Sequence, residues 1–61
     1  MKIFQLKKDY KDLYKKGVQF FLISESEFIG VKEYTLLASN QKGKLLVSDD
    51  ELNRYFFLKN P

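Results

Sequence analysis

The second half of the chain carries the pattern that most restricts its fold. Two apolar runs, Val31 to Ser39 and Lys44 to Ser48, flank a polar loop from Asn40 to Gly43. Runs rich in β-branched and aromatic residues, separated by Asn and Gly, are typical of two antiparallel strands and their turn. Because successive side chains of a strand point to opposite faces, the first run predicts a shared face made by Tyr34, Leu36 and Ala38.

The composition excludes the usual covalent and metal staples of a small domain. The chain has 61 residues and contains neither cysteine nor histidine. Disulfides and thiolate or imidazole metal sites are therefore ruled out as sources of stability. Six Phe and four Tyr supply large apolar side chains. We expect a single domain spanning residues 1–61, stabilised by packing or by a partner, with no cofactor and no metal.

The same composition bears on where the protein acts. No apolar run approaches the roughly 18 residues that a membrane-spanning helix needs, and the apolar stretch before Lys7 is too short for a signal peptide. The lack of cysteine fits a reducing compartment. We expect a cytoplasmic protein that does not act at a membrane.

The N-terminal region predicts one short helix. Asp9 is a suitable N-cap, and Gly17 stands where a helix commonly ends. Apolar residues with the spacing i, i+3 and i+4 lie between them, namely Tyr10, Leu13 and Tyr14. The preceding segment, Lys2 to Leu6, is either a short strand or the lead into this helix.

The middle of the chain predicts a buried strand and a loop. Val18 to Ser24 is β-branched and aromatic, and it is too short and too evenly apolar for an amphipathic helix. Glu25 to Gly30 is polar and ends in Gly, so it indicates an excursion between strands. We expect Phe28 and Ile29 to be tucked beneath that loop.

The segment from residue 49 to 58 allows two interpretations. Ser48 and Glu51 match a capping box, and a helix would follow with apolar residues at helical spacing. Arg54 to Leu58 is instead rich in strand formers, with Asp50 to Asn53 as a possible hairpin turn. The strand is preferred because of a resemblance.

The resemblance rests on the order of four segments in the second half of the chain. They are Lys32 to Leu37, Lys42 to Val47, the acidic pair Asp49 and Asp50, and Arg54 to Phe56. This order resembles the small Src-homology-3-like barrels of Gram-positive bacteria and their phages. It implies a binding fold. We therefore expect a fold that is mainly β, either a partly open barrel or an antiparallel meander, preceded by the short N-terminal helix. The alternative is an α+β fold with a C-terminal helix from Ser48.

The sequence contains little evidence for a catalytic site. The cluster Asp49, Asp50 and Glu51 lacks the alternate spacing and Gly of a calcium loop. Glu25 and Glu27 are better explained as solvated carboxylates than as an acid/base pair. The serines have no His to activate them. We therefore expect a protein that is not an enzyme.

Two kinds of binding remain. Rings that exceed what one small core can hide are candidate anchors for a protein partner, namely Phe28, Tyr34, Tyr55 and Phe57. Residues 1–17 contain six Lys against two Asp, so nucleic-acid binding is the alternative. Its candidate residues are Lys7, Lys8, Lys11, Lys15, Lys16 and Arg54. Homodimerisation through a sheet edge is a third possibility.

These observations lead to a prediction of function. We predict a small binding module, an accessory protein of a phage or mobile element that binds and modulates a host protein. The alternative prediction is a nucleic-acid-binding small barrel that uses a lysine-rich face.

Overall fold

The described residues of the chain fold into one antiparallel sheet and one short helix. A computed structural model describes residues 2–39 and 43–59. Its elements in chain order are β1 (Ile3–Leu6), β2 (Gln19–Phe28), β3 (Val31–Ala38), β4 (Lys44–Ser48), α1 (Asp49–Tyr55) and β5 (Phe56–Leu58). The prediction of a mainly β protein is confirmed. The described residues contain no helix that is long and apolar enough to cross a membrane.

The strand order and the short connection through α1 together imply that the sheet is curved. Hydrogen-bonded neighbours follow the order β4-β3-β2-β1-β5, so the last strand returns to the first. Five flat strands would separate the two edge strands by about 19 Å, at about 4.8 Å per step. α1 joins those edges with seven residues, which span only about 10 Å as a helix. The sheet is therefore strongly curved around the core, with α1 packed on β3, β4 and β5.

The concave face of the sheet holds the core. Tyr34, Leu36 and Ala38 of β3 are buried together, as their alternation predicts. Phe20 of β2 is completely buried, and its ring meets the ring of Phe56 edge-on, with centroids 5.4 Å apart. The remaining buried members are Leu6, Tyr10, Val47 and Leu52. No buried side-chain nitrogen or oxygen of the described residues lacks a hydrogen-bond partner.

The prediction of an N-terminal helix is wrong. Residues 7–18 form an irregular loop in which the backbone N–H of Tyr10 donates to the carbonyl of Tyr14 at 2.9 Å. The Asp9 carboxylate accepts from the backbone N–H of Lys16 at 2.8 Å, so it closes this loop and caps no helix. The i, i+3 and i+4 apolar residues lie in a turn instead of a helix. The rings of Tyr10 and Tyr14 pack into the core, whereas Leu13 is 63% exposed.

The C-terminal region combines the two interpretations. The helix is present because Ser48 forms a complete capping box, with its side chain accepting from the backbone N–H of Glu51. The preferred hairpin turn at Asp50 to Asn53 is therefore wrong. The strand is present as well, but it starts at Phe56, directly after the helix, and pairs with β1.

The loop predicted at Glu25 to Gly30 is also wrong. β2 continues to Phe28, and the turn to β3 contains only Ile29 and Gly30. Phe28 and Ile29 are exposed and not tucked beneath a loop. The other predicted turn, Asn40 to Gly43, lies outside the described residues except for Gly43.

Candidate protein-binding site

The β2–β3 hairpin extends past the rest of the sheet. β1 pairs with β2 only at residues 19–21, and β4 pairs with β3 only at residues 33–37. A bulge between Leu22 and Ser24 marks where β2 leaves the body of the protein. We call residues 25–33 the hairpin tip. In the described part of the chain, its two strands pair essentially with each other alone.

The hairpin tip exposes large apolar side chains at its end. Phe28 is 76% exposed, Ile29 84% and Val31 59%. Phe28 and Val31 lie directly opposite each other across the strands, so their side chains share one face. Together with Ile29, Ser26 and Glu33 they line an open groove of about 350 Å³. The tip therefore presents a contiguous apolar surface to solvent.

The turn at the tip is held in an unfavourable conformation. Ile29 has φ 53° and Gly30 has φ 77°, the positive pair that a two-residue hairpin turn requires. Asn or Gly fits the first of these positions well, whereas a β-branched residue there is strained. A solvent-exposed Ile in this place lowers stability and gains little from burial.

Carboxylates surround the apolar end on both faces. Glu33 lies on the face of Phe28 and Val31, since alternate residues of a strand share a face. Glu25 and Glu27 lie on the opposite face, which continues into the core at Tyr34. Burial raises the pKa of the Tyr34 hydroxyl, and its hydrogen bond to Asp49 and the charges of Glu25 and Glu27 raise it further.

The convex face of the sheet carries a second apolar region. Ile3 pairs with Phe21, which pairs with Leu37, so three half-buried side chains form a row across β1, β2 and β3. Lys44 lies opposite Leu37 at one end of that row. The backbone N–H of Lys59 donates to the carbonyl of Ile3 at 2.8 Å at the other end.

The four predicted protein-binding rings do not come together. Phe28 is at the end of the hairpin tip, and Phe57 is 43% exposed on β5, at the far end of the sheet. Tyr55 is half-buried and packs edge-on against Tyr10, with centroids 5.0 Å apart. Tyr34 is buried, and its hydroxyl donates to Asp49 at 3.1 Å. Tyr34 is therefore a core residue, and Phe28 is the most accessible ring of the four.

The six predicted nucleic-acid-binding residues are all exposed, but half of them contact other side chains. The Lys8 ammonium lies 4.8 Å from the centre of the Tyr55 ring. Lys11 lies 5.1 Å from the Tyr10 ring and 3.9 Å from Glu51. Arg54 binds Asp50 at 2.7 Å, one turn earlier on α1. The remaining three are Lys7, Lys15 and Lys16.

The acidic cluster at the start of α1 serves the fold. Asp49 accepts from Tyr34, Asp50 binds Arg54, and Glu51 completes the capping box. Across residues 2–39 and 43–59, no group of three or more Asp, Glu, His or Cys is arranged to hold a metal ion.

Two apolar residues of the hairpin tip, Ile29 and Val31, were not predicted to belong to a binding site. Ile29 was expected to be covered, because a polar segment ending in Gly indicated a loop, and Val31 was assigned only to a strand. The available signal was the alternation of Ser26, Phe28 and Val31 about a two-residue turn.

Comparisons of the chain with protein-family models, with curated proteins and with solved structures gave no match.

Proposed function

We propose that the chain is a small, non-enzymatic protein-binding module and that the hairpin tip is its binding element. The observation that carries this proposal is the exposure of Phe28, Ile29 and Val31 at the end of a projecting hairpin. Isolated apolar residues are common on protein surfaces, but a contiguous apolar patch beside a groove is typical of an interaction site.

The strained turn gives independent support. Ile29 occupies a position where Asn would relieve the backbone, and its side chain is almost fully solvated. Strained residues cluster where structure serves binding or regulation. An apolar side chain kept at the outermost point of the hairpin is suited to insertion into a pocket on a partner.

We also propose the wider role that the sequence resemblance implies. In that role the protein is an accessory factor of a phage or mobile element that modulates a host protein, built as a partly open Src-homology-3-like barrel. The return of β5 to β1 and the curvature of the sheet support the barrel.

The test compares captured partners between matched variants. Phe28→Ser and Val31→Ser remove apolar area from the tip, whereas Leu13→Ser removes a comparably exposed apolar side chain from the loop before β2. We expect wild type and Leu13→Ser to retain the same stoichiometric partner from a host lysate and the tip variants to lose it. Equal retention by all four proteins contradicts the proposal.

Nucleic-acid binding is the weaker proposal, because Lys8, Lys11 and Arg54 already contact side chains of the protein itself. It predicts polarisation changes on titration into labelled duplex or single-stranded nucleic acid, with affinity falling steeply as salt rises. Absence of binding at low salt rules it out.

A further inference from the structure

We infer that the hairpin tip docks into an apolar cleft whose rim is basic, on the surface of a protein partner. This inference rests on the proposed function and adds the chemistry of the partner. It follows from how charge is distributed around the apolar end of the tip.

The tip and the body of the molecule have opposite charge. Residues 25–33 contain three Glu and one Lys, a net charge of −2, in a chain whose net charge is +3, so the remainder carries +5. This separation of charge gives the molecule an electric dipole with its negative end at the hairpin tip. A basic partner surface attracts the tip and repels the body, so it orients the hairpin toward itself during encounter.

The carboxylates are placed where a docked partner would meet them. Glu33 lines the groove with Phe28 and Val31. On the opposite face Glu27 lies across from Lys32, which partly compensates its charge. Glu25 lies across from Tyr34, and Glu33 lies across from Ser26 and Ser48. Two of the three carboxylates therefore have uncharged cross-strand neighbours.

The cost of desolvating the carboxylates on docking determines which kind of partner surface fits the hairpin tip. Inserting Phe28 and Ile29 into a cleft brings these carboxylates against the cleft's rim and strips water from them, which is unfavourable unless opposite charges replace it. An anionic membrane surface or a nucleic-acid backbone would repel the tip. A protein cleft with apolar walls and Lys or Arg at its edge satisfies both the apolar side chains and the charges.

The probe is a pair of synthetic amphipathic peptides. One contains only Leu and Lys, and its matched control has Glu in place of every Lys. Each is titrated into ¹⁵N-labelled protein at about 20 mM and about 200 mM salt, and amide shifts are followed. We expect the Leu/Lys peptide to shift resonances of residues 25–33, at least about fivefold more tightly than the Leu/Glu peptide, and to weaken as salt rises.

Variants separate the charge from the apolar surface. Replacing Glu25, Glu27 and Glu33 together by Gln should abolish the preference for the Leu/Lys peptide, while Asp12→Asn, in the exposed loop before β2, should leave it unchanged. Equal binding of both peptides at the tip overturns the basic rim and leaves the binding element standing. No shift at the tip with either peptide overturns the binding element too. Tip resonances that respond to phosphatidylserine vesicles and to neither peptide assign the surface to membranes and overturn the inference.

Discussion

Substituting Ile29 by Asn should make the protein more stable. The left-handed region costs an L-residue about 1–2 kcal/mol, and Ile29 is held there at φ 53°. Asn tolerates this region better and forms the preferred turn with a following Gly. Since the Ile29 side chain is 84% exposed, its removal sacrifices little burial. The expected gain in the free energy of unfolding is about 1 kcal/mol.

That gain is large for a domain of this size. At about 0.05–0.15 kcal/mol per residue, the 61 residues imply a total stability of only about 3–9 kcal/mol. A gain of about 1 kcal/mol raises the melting temperature by about 4–8 °C in domains of this class. It raises the urea midpoint by roughly 1 M if the slope is near 1 kcal/mol per M.

The assay is urea unfolding followed by circular dichroism, with Val31→Asn as the matched control. Val31 is also exposed and apolar, but it lies in a strand with ordinary backbone angles. Asn is a poor strand former, so this control should lose stability or show no gain. If Ile29→Asn is no more stable than wild type, strain at the turn is not the reason for the unusual residue.

Three further predictions concern the body of the protein. Ser48→Ala should lower the free energy of unfolding by about 1 kcal/mol by removing the helix cap, whereas Ser39→Ala, at an exposed site, should change it little; denaturant unfolding measures both. Phe20→Ala should lower the free energy of unfolding by about 3–5 kcal/mol; urea unfolding followed by circular dichroism measures the loss, and a loss below about 1 kcal/mol would contradict the assigned core. The pKa of Tyr34 is raised above 10.0 by burial and by its bond to Asp49, so the folded state favours the neutral phenol. Its contribution is complete below pH 10 and is lost as pH rises through the folded pKa. Tyr34→Phe should therefore flatten the decline in stability as the pH rises above 10, and an unchanged decline would refute the assignment.

The sequence predicts the sheet better than it predicts the connections. Alternation in β3 identifies its buried face because one side of the strand must face the core. The spacing of Tyr10 and Tyr14 is misleading, since a tight turn also brings residues four positions apart onto one side. A positive φ at Lys11 and the Asp9 bond to Lys16 complete that turn, and neither is visible in apolar spacing.

The candidate site was harder to predict than the fold. Phe28 was identified as a candidate anchor from the number of aromatic residues, but Ile29 was expected to be covered. A polar segment ending in Gly30 is compatible with a loop or with a long exposed hairpin. The choice depends on which neighbouring strands stop short, and that is a property of β1 and β4 rather than of the hairpin itself.

The ladder between β1 and β5 has a consequence for the order of folding. β2, β3 and β4 are joined by short connections and can pair as soon as they are synthesised. Leu6 and Phe56, in contrast, are paired across about 50 intervening positions. Closing a loop of that length costs about 3.5 kcal/mol of chain entropy from its length alone. On the ribosome the nascent sheet therefore keeps the outer edge of β1 unpaired until β5 has emerged, and this edge is the place where misassembly with another chain is most readily initiated.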